Sequence, residues 1–181
     1  MSDALLKAYS EIDPKNLTHP TLAFLRSYWD EKRGARLMPS RKEIRPSDLR
    51  SHLGYVLMIE PIDDCADFRY RLIGTLVTQY FLTDATGKTV SESFAHHGTA
   101  AVKGVTALLR KTARDCIPMR SYGDANWLQQ GLESFEAIYL PLSDDGKTCN
   151  MILHAFVFDR SKVMMAREIA RANGGELPVI S

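Results

Sequence analysis

The sequence has no long hydrophobic run, no CxxC pair and no excess of charge of either sign. No segment approaches the roughly 18 apolar residues that a transmembrane helix needs, and the polar amino-terminal stretch has no hydrophobic region typical of a signal peptide. The three cysteines are odd in number and far apart, which argues against a disulfide or metal framework. A net charge of +1 offers no field to nucleic acid. We therefore expect a cytoplasmic protein with no membrane span and no nucleic-acid partner.

The length and composition are those of one globular domain. A chain of 181 residues is long enough to bury roughly 70% of the surface that its unfolded state exposes. Apolar residues make up 45% of the chain and charged residues 25%, which is ordinary for a globular protein. A hydrophobic core can therefore form without disulfides.

A β-hairpin near the middle of the chain is the clearest local signal. Residues 55–60 form an apolar run, a turn rich in Asp follows, and residues 67–73 alternate in character. The alternation places Phe68, Tyr70 and Leu72 on one face of the second strand and Arg69, Arg71 and Ile73 on the other. Because two strands alone are marginal in water, their sheet partners must come from later in the chain.

Two longer helices are predicted from apolar residues spaced three and four apart. The first spans residues 18–34, carries Leu22, Leu25 and Trp29 on one stripe, and ends at a glycine. The second spans residues 98–114 and ends in basic residues, as suits a helix carboxyl terminus. Shorter helical segments are expected at residues 46–53, 75–81 and 90–94.

Three more strands are predicted in the second half of the chain. They span residues 117–122, 132–142 and 149–158, and a strong turn signal at 143–147 predicts that the last two pair as a hairpin. The last strand is apolar on both faces, which predicts a central strand covered on both sides. We expect the helix at 98–114 to cover one face of this strand. The other face can be covered by the Leu22/Leu25/Trp29 stripe, by the carboxy-terminal helix or by a second copy of the protein.

The resulting division is a tail at 1–17, a domain at 18–160, and a helix and tail at 161–181. The first segment is expected to be loosely attached, with a weakly helical stretch at 5–9, because it has too few apolar residues to fold alone. The last segment is expected to form a helix that begins near Asp159 and ends at the glycine pair 174–175.

The order of these elements, with five short motifs, resembles the PAS domain family, in particular a PAS family common in bacteria of the alphaproteobacterial class. The motifs are Tyr28-Trp29, Pro39-Ser40-Arg41, Leu53-Gly54-Tyr55-Val56, the run from Phe68 to Thr75, and Thr86-Gly87. Each match is short, but all five occur in the order of the family.

The resemblance implies an α+β fold: a five-stranded antiparallel sheet with helices on one face, a cavity between them, and flanking amino-terminal and carboxy-terminal helices. It also implies a sensor or docking module rather than a reaction. We therefore expect a non-enzymatic signalling protein that binds a small-molecule ligand, docks on a regulatory protein such as a histidine kinase, or does both. We also expect a homodimer formed through the amino-terminal helix. The resemblance identifies no cofactor.

Candidate ligand-binding residues come from the strands and from one junction. Aromatic side chains can wall a pocket or simply fill the core, and these are Tyr70, Trp127, Tyr139 and Phe156. Arg71 can hold an anion or form a salt link on the sheet surface, and Leu72 follows it in the same strand. His154 can bind a ligand or be a satisfied core histidine, and His97 can border the cavity or begin a helix.

Two other functions remain open at this stage. The first is a small α+β enzyme that uses His97, Glu136 or His154 as an acid or base, which requires these side chains to converge on one cavity. The second is a haem-binding sensor that uses the pair His96-His97. A flavin photosensor is not supported, because no Asn-Cys-Arg-Phe-Leu-Gln segment is present, whereas Cys65 is expected in the hairpin turn, where it could be oxidised.

Overall fold

The computed structural model describes residues 8–81, 84–125 and 132–160, which form one six-stranded antiparallel sheet with helices. The strands are β1 (Ala8–Ile12), β2 (Val56–Ile62), β3 (Asp67–Ile73), β4 (Met119–Asp124), β5 (Leu132–Leu142) and β6 (Met151–Arg160). The helices are α1 (Pro20–Arg33), α2 (Pro46–Leu49), α3 (Thr75–Phe81), α4 (Val90–Phe94) and α5 (Thr99–Asp115). Short 3₁₀ segments occur at Arg41–Glu43, Arg50–Tyr55 and Ala95–His97.

The sheet joins the two halves of the chain at its centre. Its strand order is β1-β4-β5-β6-β2-β3, so β6 lies between its hairpin partner β5 and the early strand β2. The predicted central position of β6 is confirmed, and its residues 152–157 are all buried. The β2–β3 hairpin therefore pairs with β6, a strand from the last part of the described chain. This pairing supplies the third strand that a hairpin needs, because two strands alone are marginally stable in water.

The edge strand β1 corrects the interpretation of the amino-terminal segment. Tyr9, expected in a weak helix, lies in a strand that pairs with β4 from Ala8↔Gly123 to Ile12↔Met119. Beyond it, the amide of Asp13 donates to the carbonyl of Pro118 at 2.9 Å. The expectation failed because a five-residue edge strand gains its stability from backbone pairing with a distant strand, which local periodicity does not reveal. The sheet has six strands rather than five.

A register shift in β3 shows that the predicted placement of Leu72 on the same face as Phe68 and Tyr70 is wrong. Tyr70 pairs with Ile59, but Leu72 pairs with Met58, so one extra residue lies between them on β3. Such a bulge moves the residues beyond it to the opposite face. Leu72 therefore does not share the face of Phe68 and Tyr70, and it is exposed.

Helix α1 packs on one face of the sheet, which identifies the cover of that face. His19 accepts from the amide of Thr21 as the amino-terminal cap, and Gly34 ends the helix at a φ of 55°. The Trp29 indole donates to the carbonyl of Pro141 at 2.8 Å, and Leu22 and Leu25 are fully buried. The apolar stripe of α1 is thus used within the chain.

Helices α3, α4 and α5 lie on the other face. Val77, Val90 and Leu109 contribute buried side chains from these three helices, and α5 contacts β3, β5 and β6. No helix among the described residues is long and apolar enough to cross a membrane. The predicted start of the carboxy-terminal helix near Asp159 is wrong, because Asp159 lies in β6 and pairs with Ser134 of β5. The rest of that expected helix, at 161–181, lies outside the described residues.

Candidate functional site

A cavity of about 220 Å³ lies between the sheet and the α4 and α5 helices. All six strands contribute to its lining. The strand residues are Tyr9, Ser10, Leu57, Ile59, Tyr70, Ser121, Phe135, Tyr139, His154 and Phe156, and the helical residues are Phe94, Gly104, Val105, Leu108 and Leu109. The lining is mostly apolar, as is usual for small-molecule sites.

Stacked aromatic rings form the part of the wall that β5 and β6 contribute. The rings of Phe135 and Phe156 lie 5.1 Å apart, and the His154 ring lies 4.4 Å from the Tyr139 ring with an angle of 18° between their planes. The edge of His154 also meets Phe156 at 5.6 Å. These contacts hold the four rings in place, because neighbouring rings at such distances gain energy in addition to burial.

The His154 ring is neutral, and its tautomer follows from one hydrogen bond. Its Nδ1 atom lies 2.8 Å from the carbonyl oxygen of Ile138, which can only accept, so Nδ1 carries the proton. Burial lowers the pKa of His154 to about 4, although the Ile138 carbonyl opposes this shift. Nε2 is therefore an acceptor, and no described residue hydrogen-bonds to it.

Two tyrosine hydroxyls add polar groups to the cavity. Tyr139 Oη shares a hydrogen bond of 2.9 Å with Ser121 Oγ, and burial raises the pKa of Tyr139 to about 12. Burial also raises the pKa of Tyr70, and the nearby Tyr139 and Asp67 raise it further. Both hydroxyls therefore stay protonated at neutral pH. The Tyr70 hydroxyl makes no hydrogen bond with the described part of the chain.

The structure brings four of the eight candidate ligand-binding residues together. Tyr70, Tyr139, His154 and Phe156 all line the cavity. Arg71 and Leu72 do not line it. The Arg71 guanidinium donates to Glu60 Oε2 at 2.7 Å on the sheet surface, and the β3 bulge turns Leu72 away.

The two remaining candidates stand apart from this group. His97 lies in the 3₁₀ segment after α4, where its ring is 5.6 Å from Phe94, a cavity residue, and 3.9 Å from His96. Trp127 lies outside the described residues. No cluster of three or more His, Cys, Asp or Glu suited to a metal ion occurs in the described ranges.

Sequence reasoning missed most of the apolar lining. Ser10 belongs to a strand that was not predicted, and Val105 and Leu108 are on α5, where their spacing indicated only a helix face that packs on the sheet. Ser121 stands between Arg120 and Tyr122, a neighbourhood that gives no sequence signal for a buried position. Its hydrogen-bond partner, Tyr139, is 18 residues away in sequence.

The acid–base set that the enzyme hypothesis requires does not converge. Glu136 alternates with the cavity residue Phe135, so its side chain lies on the α1 face of the sheet. There the carboxylate accepts from the amides of Thr18 and His19, each at 3.1 Å, and pairs with Arg120 at 2.7 Å. Burial alone would raise the pKa of Glu136, but these hydrogen bonds and the Arg120 charge hold it below its ordinary value.

Comparison with protein-family models agrees with this architecture. A family model described as a PAS domain matches residues 17–157. A solved structure titled "Structure of an RNA-binding Light-Oxygen-Voltage Receptor" is similar at 8% sequence identity and a TM-score of 0.45, and the match covers 93% of this chain and 43% of that one. This chain therefore spans less than half the length of that receptor. No curated protein matches the sequence.

Proposed function

This chain belongs to the PAS domain family, and on that premise we propose that it is a sensory module that binds a small molecule in the cavity under its sheet. The observation that carries the proposal is the cavity itself, with its uncharged lining and the Nε2 acceptor of His154, to which no described residue donates. A ligand that donates to this acceptor gains a hydrogen bond worth roughly 0.5–1.5 kcal/mol.

We propose that occupancy is passed on by contact with another protein. The candidate receivers are a second copy of the chain and a regulatory protein such as a histidine kinase. The expected dimer through α1 would use the outward side of that helix, since its Leu22, Leu25 and Trp29 side chains are buried within the chain. Sedimentation as a strict monomer at micromolar concentration would remove the dimer from this proposal.

We favour binding over catalysis because of the positions of the titratable groups. Glu136 is tied to Arg120 on the α1 face, whereas His154 lines the cavity on the opposite face. General acid–base catalysis needs such groups within hydrogen-bond reach of one reacting molecule. These two residues cannot serve the same substrate.

The cavity size argues against the haem alternative and against a flavin. Pockets for drug-sized ligands hold roughly 300–1,000 Å³, and the cavity of about 220 Å³ is smaller than that range. We therefore expect the purified protein to be colourless. A strong absorbance near the violet edge would instead favour haem.

Native mass spectrometry of protein purified without added ligand tests the proposal. We expect a retained small mass in the wild type and its loss in Val105→Phe, which places a larger side chain in the cavity lining. Ala107→Phe is the matched control, because Ala107 is exposed on the same helix and should keep the mass. The proposal fails if the wild type carries no extra mass and no small molecule in an added panel raises its melting temperature.

A further inference from the structure

We propose that the ligand of this cavity is a neutral aromatic compound of the phenol class, with one ring and a free hydroxyl group. The inference rests on the proposed function and adds the chemistry of the ligand to it. It follows from the size, charge and hydrogen-bonding groups of the cavity.

The volume limits the ligand to about one ring with small substituents. An engineered apolar cavity of about 150 Å³ is known to accept benzene, and the present cavity is somewhat larger at about 220 Å³. The walls also suit an aromatic ring, because Phe135, Tyr139 and Phe156 contribute faces and edges that pack on flat π systems.

The lining excludes a charged ligand. None of the described residues that line the cavity is Lys, Arg, Asp or Glu. The arginines of β3 are engaged elsewhere, Arg69 with the carbonyl of Gly87 and Arg71 with Glu60. A carboxylate in this site would lose its hydration without gaining a counter-ion, which is a large cost in an apolar environment.

The unpaired polar groups specify a hydroxyl on the ligand. His154 Nε2 is a bare acceptor, since Nδ1 holds the ring proton against Ile138, and it requires a donor. The Tyr70 hydroxyl is buried, protonated and without a described partner, so it can donate to an acceptor. A phenolic hydroxyl both donates and accepts. An ether or a ketone lacks the proton that His154 needs.

Four ligands that share a toluene ring and differ at the para position separate these requirements: p-cresol, 4-methylanisole, toluene and p-toluate. Titration calorimetry of the 181-residue chain is expected to show that p-cresol binds at least about tenfold more tightly than 4-methylanisole, the ratio equivalent to one hydrogen bond. Toluene should bind no better than the anisole, and p-toluate should bind most weakly, because it carries a charge.

Two variants assign the preference to its residues. His154→Phe keeps a ring stacked on Tyr139 but removes Nε2, and Tyr70→Phe removes only the hydroxyl oxygen. His154→Phe should reduce the advantage of p-cresol over 4-methylanisole to about twofold or less, because it removes the acceptor to which only the phenol can donate. Tyr70→Phe should weaken both ligands and leave their ratio unchanged, because the phenol oxygen and the ether oxygen can both accept from the Tyr70 hydroxyl. Tyr122→Phe is the matched control: Tyr122 is exposed and does not line the cavity, so it should keep the full preference.

The outcomes separate the ligand class from the sensory function. Equal binding of p-cresol and 4-methylanisole, or tightest binding of p-toluate, overturns the phenol class and leaves a small-molecule sensor standing. If none of the four binds while native mass spectrometry detects a bound molecule, the class is again wrong and the function stands. If none binds and no bound molecule is detected, both proposals fail. The binding of the four ligands to the wild-type protein tests the phenol class even if His154→Phe does not fold.

Discussion

Of the motif residues that gave the chain its family resemblance, Tyr70 alone lines the cavity, and the others belong to the scaffold. A methyl group on Gly74 would collide with the backbone carbonyls of Leu53 and Gly54, so two of the motifs meet at one tight backbone crossing. Gly87 adopts a φ of 87° and its amide donates to the carbonyl of Tyr70 at 2.8 Å, a conformation that favours glycine. The motifs therefore indicate the fold strongly and the ligand only weakly.

Within the cavity, His154 is the residue whose protonation makes the stability of the fold depend on pH below neutrality. In the folded protein the pKa of His154 is about 4, below the ordinary value of 6.5. Between pH 4 and pH 6.5 the unfolded chain therefore binds a proton at His154 that the folded chain does not bind. Stability is therefore full above pH 6.5 and falls as the pH drops towards 4. The expected loss between pH 7 and pH 4.5 is about 2.5 kcal/mol.

Urea titrations at pH 7 and pH 4.5 check this prediction. His154→Phe should lose about 2.5 kcal/mol less than the wild type over this interval, because Phe does not titrate. Tyr139→Phe should keep the wild-type loss, because a hydroxyl with a pKa of about 12 does not change its charge there. If the wild type and His154→Phe lose the same unfolding free energy between pH 7 and pH 4.5, His154 is not a buried neutral base.

At the scale of elements, the amino terminus of α1 is held to the sheet by one carboxylate. Glu136 receives the amides of Thr18 and His19 and pairs with Arg120, and both side chains of the pair are nearly buried at 8% and 11% exposure. The Thr18 hydroxyl donates to the same carboxylate. Without Glu136, the nearly buried Arg120 guanidinium would keep only the more exposed Glu11, at 3.2 Å, as an ion-pair partner among the described residues. Removing one partner of a nearly buried pair is more damaging than removing both.

We predict that Glu136→Ala lowers the free energy of unfolding by about 3–5 kcal/mol, measured by chemical denaturation at pH 7. The double variant Glu136→Leu with Arg120→Met should recover part of the loss, because neither charge remains buried. Glu60→Ala is the matched control: it breaks the exposed pair with Arg71 and should cost less than ~1 kcal/mol. A comparable cost for Glu60→Ala and Glu136→Ala would contradict this account of α1.

At the scale of the whole molecule, β1 links the edge of the sheet to the cavity. Tyr9 and Ser10 line the cavity, while Tyr9 also stacks on Tyr122 at 5.6 Å and remains 60% exposed. The strand pairs on one side only, with β4. This short strand therefore contributes both to the cavity wall and to an edge of the described sheet.

We predict that deletion of residues 1–12 leaves a folded domain with a weaker ligand site. Uncovering about 60 Å² of a bound ligand would cost ~1.4 kcal/mol, or about tenfold in affinity, measured by calorimetry with p-cresol. The edge amides of β4 should also lose protection from hydrogen exchange, since they lose their pairing partner. Ile12→Ser, at an exposed position of β1, should leave both the affinity for p-cresol and the hydrogen-exchange protection of β4 unchanged. Unchanged affinity after the deletion would show that β1 does not close the cavity.

The sequence by itself determined the elements whose signals are local. The stripe of Leu22, Leu25 and Trp29 predicted α1, the turn at 143–147 predicted the β5–β6 hairpin, and the doubly apolar β6 predicted its own central position. These predictions succeeded because helix and strand periodicity depend on side chains a few residues apart. Tyr70, Tyr139 and Phe156, named from the sequence as possible pocket walls, line the cavity, and their role in binding stays a prediction.

Only the tertiary structure decided the features that depend on distant partners. The strand β1 forms because β4 presents an unpaired edge, and the bulge in β3 moves Leu72 away from the cavity because of its register with β2. The tautomer of His154 is set by the carbonyl of Ile138, 16 residues away. Pairing, register and hydrogen bonding join atoms that are far apart in the chain, so the chemistry of the cavity appears only when the sheet is assembled.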